Sequence, residues 1–462
     1  MDAFRDAIRS GRLLPGARLP SSRTLAADLS MGRNTVVRVY SELITEGWLT
    51  AQHGSATRVA QRAEELTRPW APRPRVPPTG PHVPPTGPRV PPTRPRVPPT
   101  QRPTHNLRPG HPDLSAFPRE DWIRAVKRTV SAAPADAFGY ADPFGRIELR
   151  QALARYLTRA RGLRTGPDNV VVCSGAAEGL ALVAGELAEA GVGSVAVEEF
   201  GLATQRRALA KAGLATPPIP VSADGADISA LESLPDVGAV LLTPSHQFPL
   251  GVALSPSRRA AVVDWACRRN ALIIEDDYDG EFRYDRTPVG ALHGLDPDHV
   301  IYLGTASKSL APGLRLGWLV LPDHLVDRVA GQKGETEETV GFVNQLAMAD
   351  FIESGAYDRH IRTMRSRYRR RREQLVEAVE RHTPTSSISG MPAGLHVVLE
   401  PPGGRAGVIT RQAAYRRLAV ETLGFYRHPE STSDRDGVVV GFASPTQSAW
   451  SGALEALLAV LP

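Results

Sequence analysis

The stretch Gly-Thr-Ala-Ser-Lys-Ser-Leu-Ala-Pro-Gly-Leu-Arg-Leu-Gly-Trp, residues 304–318, decides how this chain is read. It lies between two apolar runs, Val300–Leu303 and Trp318–Leu321, of the length of buried strands. At its centre is Lys308, one of four lysines in 462 residues; the others are Lys127, Lys211 and Lys333. Every other cation of this kind is an arginine, so a lysine here needs a chemical reason. A guanidinium stays protonated and cannot form an imine, whereas a desolvated amine can lose its proton and attack a carbonyl. Ser307 beside it and Arg315 seven residues on provide a hydroxyl and a fork of N–H donors suited to a phosphate. The bland alternative is a structural lysine.

Upstream, Glu-Asp-Asp-Tyr-Asp-Gly-Glu-Phe-Arg-Tyr (275–284) follows the apolar strand Ala271–Ile274. A pyridoxal cofactor needs a carboxylate at its ring nitrogen and a donor at its 3-oxygen. On extended chain, residues i and i+2 face the same way, which assigns Asp276 and Tyr278 to those two roles. A metal reading of Glu275-Asp276-Asp277 finds no clustered His or Cys, and no metal site is expected. A third segment, Cys173-Ser-Gly-Ala-Ala-Glu-Gly, opens a helix after a strand. The backbone N–H groups of Gly175, Ala176 and Ala177 can hold a phosphate there, although many α/β turns share this pattern.

Working outward, buried-strand patterns recur at Val170–Cys173, Val195–Val197, Ala239–Leu242 and Leu272–Ile274, with helical patterns between most of them. The fold class is α/β with a mainly parallel sheet, whose chemistry belongs on the loops at the strand C-termini. This zone covers residues 105–462. Residues 61–104 form a Pro/Arg-rich linker in which Val-Pro-Pro-Thr recurs at Val76, Val83, Val90 and Val97. Such proline density favours polyproline II, a semi-rigid spacer of on the order of 120 Å, over an SH3-type ligand.

Residues 1–60 are compact and helix-patterned. Ser21 or Ser22 can cap a helix through Leu29, and Met31-Gly32 makes a turn. A second helix runs from Arg33 to about Glu46, with Val36, Tyr40 and Leu43 on one face. Trp48–Thr50 and Thr57–Val59 can pair around His53-Gly54. Two helices, a short turn and a hairpin make a winged helix-turn-helix. Its recognition helix presents Arg33, Asn34 and Thr35 at the end that enters the major groove, with Arg38 on the next turn. Charge fits a polyanion partner. Residues 1–104 hold sixteen Arg, no Lys and seven acids, a net of +9 in a chain of +6, leaving about −3 for the remainder. Two cysteines, Cys173 and Cys267, read as buried inert thiols of a reducing, cytoplasmic setting. No apolar run reaches the length of a membrane span, and the N-terminus lacks the apolar core of a secretory signal.

Leu19-Pro-Ser-x-Arg23, Arg33-x-Thr35-Val36, Tyr40-x-x-Leu43-x-x-x-Gly47 and the wing at Gly54 resemble the GntR family. That resemblance implies Arg23 and Arg33 as the main DNA contacts, with Thr35, His53 and Gly54 nearby. The first helix reads as short at its N-terminus, from a misassigned start or a trimmed domain. The Lys308, Asp276 and Gly175 segments together resemble a fold-type I pyridoxal-phosphate domain of the aminotransferase class. Gly139-Tyr140-x-x-Pro143-x-Gly145 with Leu149-Arg150 adds to this. So does Thr243-Pro-Ser-His246-Gln-Phe-Pro-Leu-Gly251, whose His-Gln variant behind a GntR-type front is similar to the MocR subfamily of regulators. By this resemblance His246 also lies at the cofactor, and the chain forms a homodimer that reads two half-sites of double-stranded DNA.

Two positions depart from the enzymes. Leu202 takes the place of the aromatic that stacks on the cofactor ring, with Phe200 as a possible substitute. In Val438-Val-Val-Gly-Phe442, Val439 takes the place of the arginine that anchors a substrate α-carboxylate, unless Arg435 or Arg411 supplies that contact from a loop. No catalytic residues and little or no transaminase activity are expected. The effector expected is pyridoxal 5′-phosphate itself, as in PdxR-like regulators of vitamin B6 synthesis. The alternatives are an amino acid acting through the cofactor, an active aminotransferase with a vestigial front, and a nonspecific DNA-compacting protein.

Overall fold

The computed structural model describes residues 2–9, 12–29, 31–51, 56–60, 103–140, 142–284, 289–335 and 340–462. The front begins with α1 (Asp2–Arg9), α2 (Ser22–Asp28) and α3 (Arg33–Thr45). Ser21, not Ser22, caps α2 by accepting the Thr24 N–H at 3.1 Å. Val36, Tyr40 and Leu43 are buried along one face of α3, and the Tyr40 hydroxyl donates to the Pro20 carbonyl at 2.9 Å, tying α3 to the start of α2. Gly47, at φ +85°, turns the chain out of α3. Strands β1 (Leu49–Thr50) and β2 (Arg58–Val59) then pair antiparallel, with Leu49 opposite Val59. His53 and Gly54, expected at the wing, and residues 61–102 of the linker lie outside the described residues.

The larger part is built from α4 (Ile147–Arg161), β3 (Val170–Cys173), α5 (Ala176–Glu189), β4 (Ser194–Glu198), α6 (Ala203–Lys211) and β5 (Pro218–Ile219). There follow β6 (Val237–Leu242), α7 (Pro256–Arg269), β7 (Leu272–Asp276), β8 (Val300–Thr305) and β9 (Gly317–Val320). These strands form one sheet in the order β3-β9-β8-β7-β6-β4-β5. All neighbours are parallel except β9, which runs antiparallel to both β8 and β3. Strands β6, β7 and β8 are buried at every residue, as a parallel sheet covered on both faces requires. Helix α8 (Ala356–His382) leads to a small antiparallel sheet of β10 (Ser387–Ser389), β11 (Val397–Glu400), β12 (Glu421–Thr422) and β13 (Val438–Val440). Among the described residues no helix is long and apolar enough to cross a membrane.

Two findings were not anticipated. The front does not stand clear of the sheet domain: the carbonyl of Glu46, at the end of α3, accepts from the buried Arg259 of α7 at 3.5 Å. A Cβ on Gly47 would lie 3.2 Å from the Pro256 carbonyl. The two cysteines also differ. Burial pushes the Cys173 thiol up to about 12, an inert group, whereas half-buried Cys267 donates to Asp296 at 3.2 Å.

Candidate cofactor site and nucleic-acid interface

Each motif falls at a strand C-terminus. Lys308 lies in the turn after β8, half-buried, with its Nζ donating to the Gly110 carbonyl at 2.7 Å. Burial lowers its pKa below the ordinary lysine value, while Asp276 and Asp279 pull it back up. The balance favours the neutral, nucleophilic amine more than at any exposed lysine. Gly110, at φ +81°, belongs to a segment fixed from behind: Asp113 receives Arg367 and Arg371, each at 3.1 Å.

Asp276 closes β7. Its Oδ2 accepts from Gln205 of α6 at 2.6 Å, while its Oδ1 is buried with no hydrogen-bond partner. Burial first, and then the neighbouring Asp277, push its pKa up to about 7. An isolated buried carboxylate oxygen is costly, and a cationic N–H would relieve it. The Tyr278 hydroxyl, kept neutral by burial, donates to the His246 carbonyl at 3.1 Å and lies 3.1 Å from His246 Nδ1. That Nδ1 faces Asp279 at 2.9 Å. Tyr278 and His246 are thus in direct contact, and Asp276, Asp279 and Lys308 are close enough to perturb one another's charge.

On the other side of Lys308, Ser307 Oγ accepts from Thr305 Oγ1 at 2.9 Å. Gly175, at φ +102°, precedes Ala176 and Ala177 in the first turn of α5. A Cβ on Gly175 would lie 3.7 Å from an Arg315 Nη, and one on Gly317 would be 2.7 Å from the Gly175 backbone. The helix start, Arg315 and the start of β9 therefore converge, a fit for a phosphate between backbone N–H groups and a guanidinium. The orphaned Asp276 oxygen and this cradle fit pyridoxal phosphate.

At the departures from the enzymes, Phe200 is fully buried in a cluster containing Phe248, Tyr278 and Val439, while Leu202 is exposed at the cap of α6. Val439 points into that cluster. Val438 and Val440 point the other way into the main core, as the pleat demands. Arg435 is taken by Glu400 at 2.7 Å, and Arg411 is exposed. A guanidinium the sequence did not single out, Arg108, lies two residues before Gly110 and pairs with Glu421 at 3.4 Å. Glu421 in turn stands opposite Val439 in the sheet. Gln205 and Gly110 were likewise missed, because neither belongs to a motif.

On the front, Arg23, Arg33, Asn34 and Arg38 are exposed and Thr35 is half-buried. Arg33 opens α3, and Arg23 lies in the first turn of α2. Arg38 is only loosely paired with Glu42, at 3.9 Å. The donors are therefore available to base edges and phosphates.

Residues 106–431 match the family model described as aminotransferase class I and II, and residues 1–59 match that of the bacterial regulatory proteins of the gntR family. The chain is 35% identical to a probable rhizopine catabolism regulatory protein, MocR, of Rhizobium meliloti, over 82% of this chain and 76% of that one. It is 34% identical to the pyridoxine biosynthesis transcriptional regulator PdxR of Corynebacterium glutamicum, over 96% and 91%. Among solved structures, an archaeal alanine:glyoxylate aminotransferase superposes with a TM-score of 0.70 at 24% identity, covering 77% of this chain and 90% of that one. A kynurenine aminotransferase of Pyrococcus horikoshii, solved with PMP, gives 0.68 at 24% identity and the same coverage. Those two likenesses bear on the fold alone.

Proposed function

The chain belongs to the MocR subfamily of GntR-type transcription regulators, with an aminotransferase-like domain that takes pyridoxal phosphate, and from that premise we propose that pyridoxal phosphate is itself the signal it reads. The observation that carries this reading is Val439. The residue in the place of the α-carboxylate anchor is an apolar side chain, buried among Phe200, Phe248 and Tyr278. A carboxylate brought there meets an apolar side chain, while Arg435 and Arg108 are held by Glu400 and Glu421, and its desolvation goes unrepaid. The cofactor's aldehyde, ring nitrogen, ring oxygen and phosphate, in contrast, each have a candidate partner in Lys308, Asp276, Tyr278 and Arg315. The PdxR relative, a regulator of pyridoxine biosynthesis by name, supports vitamin B6 metabolism genes as the target.

In this reading the residues divide the work. Lys308 offers its amine. Asp276 supplies the counter-charge at the ring nitrogen, held in place by Gln205. Tyr278, held beside His246, would turn its hydroxyl from the His246 carbonyl toward the ring oxygen. Arg315, Ser307 and the start of α5 hold the phosphate. Bound there, pyridoxal phosphate supplies an electrophilic aldehyde on an electron-withdrawing ring. Arg23, Arg33, Asn34, Thr35 and Arg38 read DNA, and a cytoplasmic homodimer presents two such helices to two half-sites. Transaminase activity is slow or absent, because an unanchored substrate is not positioned for reaction.

A second reading, an amino-acid effector, draws on Arg108. It stands beside the Gly110 segment and could exchange Glu421 for a substrate carboxylate. Operator affinity measured with cofactor alone, and again with amino acids added, separates the two.

A further inference from the structure

Beneath the cofactor residues, one buried cation uses every donor it has. Arg161 ends α4 and is 4% exposed at its side chain. Its Nε donates to Asp277 Oδ2 at 2.6 Å. Its Nη2 donates to Asp277 Oδ1 and Ser245 Oγ, each at 2.8 Å, and its Nη1 to the carbonyls of Gly280 and Val289, each at 3.2 Å. Four separated positions are pinned by one planar fork, a task no lysine could perform. Gly280 leaves room for it, since a Cβ there would sit 2.6 Å from Arg161 Nη2.

Those four positions link two places. Asp277 follows Asp276, and Ser245 precedes His246, so two of the anchors adjoin candidate cofactor residues. Val289 precedes Gly290, where the front domain rests. A Cβ on Gly290 would lie 3.0 Å from Glu46 Oε1, and the Gly290 carbonyl accepts from Arg259 at 2.6 Å. Arg259 is the residue that also donates to the Glu46 carbonyl. Strand β7 reinforces the link. Asp276 faces the cofactor side, whereas Glu275 and Asp277 face the other way. Glu275 accepts the N–H groups of Leu292 and His293 at 2.9 and 3.0 Å, holding the same segment a few residues on. A cleft of about 1000 Å³ opens beside the seat, lined in part by Arg5, Glu46, Arg161 and Gly290.

We propose that Arg161 is a positioning residue that couples the cofactor site to the DNA-binding domain, through Asp277 and Ser245 on one side and the Val289–Gly290 seat of Glu46 on the other. The proposal rests on the sensing reading above for its use, although not for its geometry. A ligand that draws on Asp276 biases the end of β7, and the guanidinium makes the seat share that bias. Arg161→Lys keeps the charge and loses the fork.

The test is hydrogen–deuterium exchange on the full chain, with and without pyridoxal phosphate, beside operator titrations. In the wild type the cofactor should change exchange at residues 43–49 and 289–293 at least twofold. Arg161→Lys should still bind the cofactor, read by its absorbance, and lose that distant response. Glu46→Ala, at the seat and remote from the cofactor, should retain the response at 289–293 and lose it at 43–49, which keeps the question open to test if Arg161→Lys does not fold. A wild-type front whose exchange ignores the cofactor overturns the coupling, as does a full response in Arg161→Lys or Glu46→Ala. A wild type whose exchange responds at the seat while its operator affinity does not would support the coupling and remove the sensing role.

Discussion

Lys308 Nζ and the Gly110 carbonyl oxygen lie 2.7 Å apart, so the one lysine placed for chemistry is held by backbone rather than by a carboxylate. A carbonyl partner fixes the amine without forcing it to stay charged, and burial lowers its pKa further. Lys308→Ala and Lys308→Arg should both abolish the visible absorbance of the cofactor complex and its fixation by borohydride. A reducible adduct that survives in either variant would place the attachment at Lys127, Lys211 or Lys333.

Asp276 sets a pH dependence. Its pKa is pushed up to about 7 by burial and by Asp277, so it loses its charge as pH falls through 7. Wild-type affinity for pyridoxal phosphate should weaken below that pH. Asp276→Asn should bind about 10–100-fold more weakly above it, the worth of a hydrogen bond to a charged group, and show a flatter profile. The same shift bears on stability. A carboxyl whose folded pKa is raised favours the fold while protonated, and that contribution is lost as pH rises from the unfolded value near 4 to about 7. Without cofactor, Asp276→Asn should therefore match the wild type near pH 4 and exceed it at pH 8, by on the order of 4 kcal/mol. Denaturant titrations at the two pH values read the difference.

The DNA face is tested separately. Arg33 is exposed at the first position of α3. Arg33→Ala should cost about 1–3 kcal/mol of sequence-specific binding while leaving cofactor absorbance intact. Arg38→Ala should weaken binding to all sequences and reduce its salt dependence by about one phosphate contact. Unchanged promoter affinity in Arg33→Ala would mean that another element reads the bases.

Much of this architecture is legible in the sequence where the signal is local. The six apolar runs are strands, since an interior strand of a parallel sheet must be apolar on both faces. Lys308, Asp276 and Tyr278 stand out because a residue type and its spacing match a chemical need. Spacing within a motif also narrowed the cap to Ser21 or Ser22 and found the apolar face of α3. What escapes is long-range. Gln205 reaches Asp276 across 71 residues and Arg161 reaches Asp277 across 116, and nothing near either announces the contact. The Gly110 carbonyl could not be picked out, because a backbone group leaves no mark in composition. The docking of Glu46 on Arg259 was hidden for the same reason, and the proline-rich linker between them pointed toward separation.

The central claim is that the cofactor itself is the signal. Its most direct measurement is an operator titration against cofactor-free protein, protein loaded with pyridoxal phosphate, and loaded protein with a panel of amino acids that includes γ-aminobutyrate. Pyridoxal phosphate alone should shift operator affinity several-fold, a coupling of about 1–3 kcal/mol, and the amino acids should add little. An operator response that appears only when one amino acid joins the cofactor would contradict the account and move the carboxylate anchor from the place of Val439 to Arg108.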